Sequence, residues 1–81
     1  MYEVYVLQSL IKNWYYVGLT SDKQRRIKQH NNGQVQSTKA YKPFRLVFSK
    51  VFTCRIVARD FEKFLKIRSN KEKLLKKLKL L

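Results

Sequence analysis

The chain has 81 residues, room for one small domain, and its 44% hydrophobic and 14% aromatic content supplies a core that a disordered chain would lack. Its 19 Lys and Arg face 5 Asp and Glu, a formal charge of +14 that opposes compaction unless a polyanion offsets it, which points to nucleic acid. The single cysteine, Cys54, excludes an internal disulfide and a thiolate metal cluster, and a buried inert thiol is its expected role.

Met1-Tyr2-Glu3-Val4 lacks the basic-then-apolar pattern of a signal peptide. No apolar run approaches the roughly 20 residues of a bilayer span. A single domain over residues 1–81, soluble and cytoplasmic, with no membrane contact, is therefore expected.

Tyr2 to Leu7 alternates as a strand, Val4 and Val6 on one side and Glu3, Tyr5 and Leu7 on the other. Trp14 to Gly18 is a second aromatic, β-branched run. The polar-ended segment between them makes a hairpin with a longer loop. Ser21, with Gln24 three residues on, reads as a helix N-cap and capping box, Asp22 favours the first turn, and Asn32-Gly33 supplies the stop. These signals place a helix over residues 22–31. Residues 34–42 have little periodicity and read as a loop closed by Pro43. Phe44 to Phe52 is the third strand. Val57, Phe61, Phe64, Leu65 and Arg68 then recur at helical spacing, Ser69-Asn70 is the expected break, and Leu74, Leu75, Leu78 and Leu81 mark a short Lys-rich third helix. The fold class is α/β (α+β): a small three-stranded antiparallel sheet flanked by three helices, in the order β-β-α-β-α-α.

Chemistry-bearing residues gather within this plan. Strand parity brings Tyr5 and Tyr16 to one sheet face if Val4, Val6, Tyr15 and Val17 pack on the other. Gly18 follows where a missing side chain would let a phosphate approach the backbone. Arg26 and His30 share one face of the first helix. Glu62 stands among basic residues on the second.

These residues resemble the motifs of the GIY-YIG endonuclease superfamily along nearly the whole chain. Glu3-Val4-Tyr5 sits where that family has Gly-Ile-Tyr, and Tyr16-Val17-Gly18 where it has Tyr-Ile-Gly. Arg26 and His30 match its Arg-x-x-x-His, and Glu62 its metal-binding glutamate. Ser37-Thr38-Lys39, Pro43 and Leu46-Val47 look like the small single-domain URI-type bacterial group. The chain departs from the pattern at Glu3, which replaces a glycine, and at Lys23, which replaces an apolar residue. Asn70 is the candidate for the family's late asparagine.

The resemblance implies metal-dependent hydrolysis of phosphodiester bonds in DNA, with low sequence preference, structure selectivity or a repair role, and RNA left open. Glu62 would hold Mg²⁺ or Mn²⁺, Arg26 would pair with the phosphate, and Tyr5 or Tyr16 would accept a proton from the attacking water. Concentrated positive charge, with the metal and Arg26, is expected to lower that phenol's pKa. Some relatives place a lysine shortly after Tyr-Ile-Gly. Leu19 and Thr20 occupy that region here, which favours His30 as the activator. Arg25, Lys28, Lys39 and Lys42, with the backbone at Gly18, would hold the nucleic-acid backbone without reading sequence. An 81-residue chain leaves no room for the separate specificity domain of larger relatives.

Taken singly, the same residues have plainer readings. The tyrosines can be sheet-packing aromatics, His30 a surface residue, and Glu62 an i, i+4 partner of Lys66. Two other functions fit parts of the chain: a non-catalytic DNA- or RNA-binding module whose aromatic sheet stacks bases, and a membrane-surface module using the Lys/Leu segment from Lys71 to Leu81.

Overall fold

The computed structural model describes residues 1–80; Leu81, the last leucine of the expected third-helix pattern, lies outside them. Strand β1 (Tyr2–Ser9) pairs antiparallel with both β2 (Tyr15–Thr20) and β3 (Phe44–Phe52), giving the sheet order β2-β1-β3. Helix α1 (Lys23–Asn31) follows the hairpin, and α2 (Arg55–Lys66) and α3 (Arg68–Lys77) follow β3. The sheet and its β-β-α-β-α-α order agree with the sequence pattern, although β1 and β2 each continue two residues past their expected ends at Leu7 and Gly18.

The central strand β1 is buried on both sides. Val4 and Val6 join Tyr15 and Val17 of β2 in a core closed by Ala58 and Leu65 of α2 and Leu75 of α3. Tyr5 and Leu7 point the other way and pack with Phe44, Trp14, Tyr16, Ile27 and Tyr41. Slipping the register by one residue would exchange these two sets, so two differently filled cores pin the pairing. The same arrangement covers Tyr5 and Leu7 with α1 and the segment after it, so the middle of this sheet face is not open for stacking bases.

Helix α1 begins one residue later than its sequence signals suggest. Asp22, not Ser21, is the N-cap: its carboxylate accepts from the Arg25 amide at 3.2 Å. Its own amide donates to Thr20 Oγ1 at 3.0 Å. A charged acceptor at this position also meets the positive end of the helix dipole. The expected stop at Asn32-Gly33 is a Schellman closure. Gly33 has φ +75°, its amide donates to the His30 carbonyl, and the Gln34 amide donates to that of Gln29.

The expected loop over residues 34–42 contains a 3₁₀ turn at Lys39–Tyr41 preceded by the fully buried Thr38. Asn31 binds this side of the fold to β3, its amide group exchanging hydrogen bonds with the Phe44 backbone at 2.7 and 3.4 Å. At the other end of the chain the break falls at Ile67, in extended conformation, and not at Ser69-Asn70. Asn70 lies inside α3 and donates from Nδ2 to the Phe64 carbonyl at 3.0 Å, satisfying a carbonyl at the end of α2.

The buried face of α2 also differs from expectation. Ala58 and Leu65 are buried while Val57 and Phe64 are half exposed, at 51% and 50%. Cys54, at the N-cap of α2, is exposed and not buried. The leucine side of α3 packs inward through Leu75, which leaves no free apolar face of the kind a membrane-surface helix needs. Among the described residues no helix is long and apolar enough to cross a membrane.

Asp22→Ala is expected to destabilise the fold by about 0.5–2 kcal/mol while Ser21→Ala changes it little. Urea midpoints of the two variants at a common m-value check the assignment.

Candidate active site

Tyr5 is 1% exposed and projects from the centre of the sheet toward α1. Its directly opposite residue on β2 is Gly18, and a Cβ there would collide with the Tyr5 ring and hydroxyl. The glycine therefore makes room for the phenol. The open approach to the backbone expected for a phosphate at Gly18 is filled by Tyr5.

The Tyr5 hydroxyl lies 2.9 Å from His30 Nε2, and His30 Nδ1 lies 2.8 Å from Thr38 Oγ1. Thr38 Oγ1 is in turn 3.4 Å from the Val35 carbonyl. His30 and Thr38 are fully buried. The tautomer is assigned from the donor inventory. Arg26, whose guanidinium acts on the Tyr5 hydroxyl, can only donate, which assigns Nε2 as the acceptor for the phenolic proton. Nδ1 then carries its proton and donates to Thr38, whose hydroxyl donates to Val35. The imidazole is packed among the rings of Tyr5, Tyr16 and Phe44, at centroid separations of 5.8, 5.0 and 5.9 Å. It is not the surface residue that its place near a helix end suggests.

Burial sets the protonation states. It pushes the His30 pKa down from 6.5 to about 4, helped by the Arg26 charge, so the ring is a neutral acceptor at neutral pH. It pushes the Tyr5 phenol up from 10.0 to about 12, with Tyr16 and Glu62 adding to the rise and the facing Arg26 guanidinium opposing it. The lowering expected from positive charge together with the metal is not supplied by Arg26 alone. Removing the phenol from water outweighs the single guanidinium.

The remaining candidates surround this pair. Tyr16 is half buried with its ring 6.3 Å from that of Tyr5. Arg26 donates to Gln29 Oε1 at 3.1 Å. Glu62 stands near enough for its charge to act on Tyr5. It also makes the anticipated ion pair with Lys66, at 3.3 Å, with its side chain only 13% exposed. Tyr5, Tyr16, Arg26 and His30, drawn from three elements, therefore lie together, and Glu62 of α2 adds its charge from nearby.

The sequence model of the GIY-YIG catalytic domain matches residues 1–77. The chain belongs to the GIY-YIG family. It is 33% identical over 70 residues to the UPF0213 protein YazA of Bacillus subtilis (strain 168), covering 85% of this chain and 70% of that protein. The solution NMR structure of the UPF0213 protein BH0048 from Bacillus halodurans superposes with a TM-score of 0.58 at 35% identity, covering 93% of this chain and 82% of the other. The GIY-YIG family is of nuclease type, and its substrate is nucleic acid.

Within this GIY-YIG chain the two departures from the family pattern answer each other: Lys23 Nζ pairs with Glu3 Oε2 at 3.2 Å, joining the start of α1 to β1. Asn31 is a site-forming residue that motif spacing does not reveal, and Thr38, marked only by its likeness to the small bacterial group, has a buried role against His30 that no motif spacing reveals. Thr38 stands in the aperiodic segment, and Asn31 follows directly after His30 as an ordinary helix-end polar residue.

Arg25 and Lys28 are exposed and line a cleft of about 520 Å³ along α1 with Asp22, Gln24, Gln29 and Gln34. A second cleft, lined in part by Leu19, Thr20, Arg25 and Arg26, continues it toward β2. Lys39 and Lys42 are exposed on the segment that covers His30.

Among the described residues no three His, Cys, Asp or Glu side chains cluster as an all-protein metal cage. Glu62 alone suits Mg²⁺, which keeps several waters and is commonly held by one or two carboxylates together with substrate phosphates.

His30 is the only histidine, so its ring proton resonances report one group. They are expected to titrate near pH 4 and not near 6.5. Because the unfolded chain binds the proton first, stability gained from the neutral ring is complete above pH 6.5 and lost as pH falls through 4. His30→Gln should flatten that window in denaturation curves. Gly18→Ala is expected to cost about 1–3 kcal/mol through overpacking, and much less in a Tyr5→Ala background.

Proposed function

We propose that this protein is a metal-dependent endonuclease that hydrolyses phosphodiester bonds in DNA. The observation that carries the reading is the buried Tyr5–His30 hydrogen bond placed beside the Arg26 guanidinium. Burial obliges the Tyr5 hydroxyl to find an acceptor, and an imidazole in that place is also able to take up its proton.

In this reading the attacking water gives its proton to the Tyr5 oxygen as the phenolic proton passes to His30 Nε2. Oxygen bonds to phosphorus, the bond to the leaving oxygen breaks, and that oxygen takes a proton from solvent. His30 is neutral above about pH 4 and so is ready to accept. Its low basicity opposes the transfer, and the positive groups around the phosphate must offset this. Arg26 pairs with the non-bridging oxygens, its planar fork suited to the charge that develops there. Tyr16, half buried beside Tyr5, orients the water.

Glu62 would hold Mg²⁺ or Mn²⁺ jointly with the phosphate. Bound there, the hard cation supplies Lewis-acid charge at the phosphate and the departing oxygen. Lys66 pairs with the Glu62 carboxylate and would compete with the cation, so Lys66→Ala is expected to lower the Mg²⁺ concentration needed for half-maximal activity. The exposed Arg25, Lys28, Lys39 and Lys42 hold the nucleic-acid backbone, in keeping with a formal charge of +14.

Nicking of supercoiled plasmid tests the reading. Activity is expected only with Mg²⁺ or Mn²⁺. Glu62→Ala and Tyr5→Phe should each lower it about 100-fold or more with salt-sensitive binding retained. Binding without nicking in the wild type would instead favour a non-catalytic nucleic-acid module.

A further inference from the structure

A second feature adjoins this site and plays no part in the chemistry above. Trp14, the only tryptophan in the chain, stacks one face on Tyr41 with ring centroids 4.0 Å apart and planes at 15°. Lys12 Nζ lies 5.7 Å from the Tyr41 centroid. Trp14 and Asn13 form one wall of a notch of about 300 Å³ whose opposite wall carries Lys66, Arg68, Lys71 and Glu72.

Three cations face one carboxylate there. Glu72 is already paired with Arg68 at 2.9 Å, and Lys71 has no ion-pair partner among the described residues. An indole edged by cations is the pairing of surfaces that takes a base and its phosphate together.

Two contacts relate the notch to the candidate active site. Lys66 lines it and also pairs with Glu62. The Trp14 ring lies 6.1 Å from that of Tyr16, which lies 6.3 Å from that of Tyr5. These separations leave Trp14 near enough to Tyr5 for one strand to contact both. In a duplex the faces of a base are covered by its neighbours, so only an unpaired, splayed base can stack on a side chain.

We propose that the Trp14 notch seats an unpaired base of single-stranded nucleic acid beside the scissile phosphate. This rests on the nuclease reading for the neighbouring phosphate, but the binding itself does not require catalysis. It makes the substrate a strand with unpaired nucleotides at the cleavage point, so that selectivity comes from strand structure and not from base sequence.

Trp14 fluorescence reads the contact directly. The wild-type protein is titrated in EDTA, where no cleavage occurs, with a short oligothymidylate, a blunt duplex of equal length, and inorganic polyphosphate. Saturable quenching by the oligothymidylate alone is expected. Trp14→Leu, folded by circular dichroism, should bind the oligothymidylate about five-fold or more weakly by anisotropy while its duplex affinity is unchanged. Lys71→Ala should reduce the salt dependence of that binding.

Absence of oligothymidylate binding, binding with no change in fluorescence, or equal quenching by polyphosphate would each overturn the proposal. The nicking assay is read separately, so failure of the stacking site and failure of the nuclease reading give different results.

Discussion

The hydrogen bond between the Tyr5 hydroxyl and His30 Nε2 is the constraint around which this small fold is arranged. A phenol and an imidazole buried without partners would each carry an uncompensated desolvation cost. Here each satisfies the other, and Thr38 takes up the remaining ring nitrogen. No buried side-chain polar atom is left unpaired among the described residues. Much of the rest of the chain serves this arrangement. Gly18 clears the volume that the phenol occupies. The Schellman closure at Gly33 turns the chain back after α1 so that Thr38 can reach the ring. Asn31 fastens the same helix end to Phe44, whose side chain forms part of the wall against the imidazole.

The site combines a neutral interior with a strongly charged rim, and the two parts have different tasks. Inside, burial keeps His30 unprotonated and Tyr5 protonated, which leaves a proton donor and a proton acceptor already in contact. At the rim, Arg26, Lys66 and Glu62 are exposed or partly exposed, where ions and phosphate can exchange with them. A raised phenol pKa would defeat a mechanism in which free phenolate must first accumulate. It is compatible with one in which the phenolic proton leaves as the water's proton arrives. The aromatic row from Tyr5 through Tyr16 to Trp14 continues this interior outward to a cation-lined notch.

Strand alternation and motif spacing made most of the architecture legible. The opposed parity of Val4 and Tyr5 placed the two tyrosines on one face, and the i, i+4 relation of Arg26 and His30 placed them on one side of α1. What stayed hidden depends on tertiary closure. His30 becomes buried because the segment after α1 folds over it, and that segment has no periodicity to announce the fully buried Thr38. Gly18 reads as open backbone until the register sets Tyr5 opposite it. The burial that outweighs Arg26 at Tyr5 stayed hidden for the same reason, since charge can be counted along a sequence but burial cannot. The buried stripe of α2 shifted because Ala58, small enough to lie fully buried against the sheet, decides the helix's contact face in place of the larger Val57 and Phe64. At the helix ends, Asp22 prevailed over Ser21 through its carboxylate bond to Arg25. Ile67 became the break because Asn70, three residues later, satisfies the Phe64 carbonyl.

The direction of the Tyr5–His30 hydrogen bond is the central claim, and long-range proton–nitrogen correlation of the single imidazole tests it most directly. At neutral pH the ring is expected as the neutral Nδ1–H tautomer, with the Nε2 resonance displaced by an accepted hydrogen bond and returning toward that of a free ring in Tyr5→Phe. An Nε2–H tautomer, an imidazolium at neutral pH, or an Nε2 resonance indifferent to Tyr5→Phe would contradict the account.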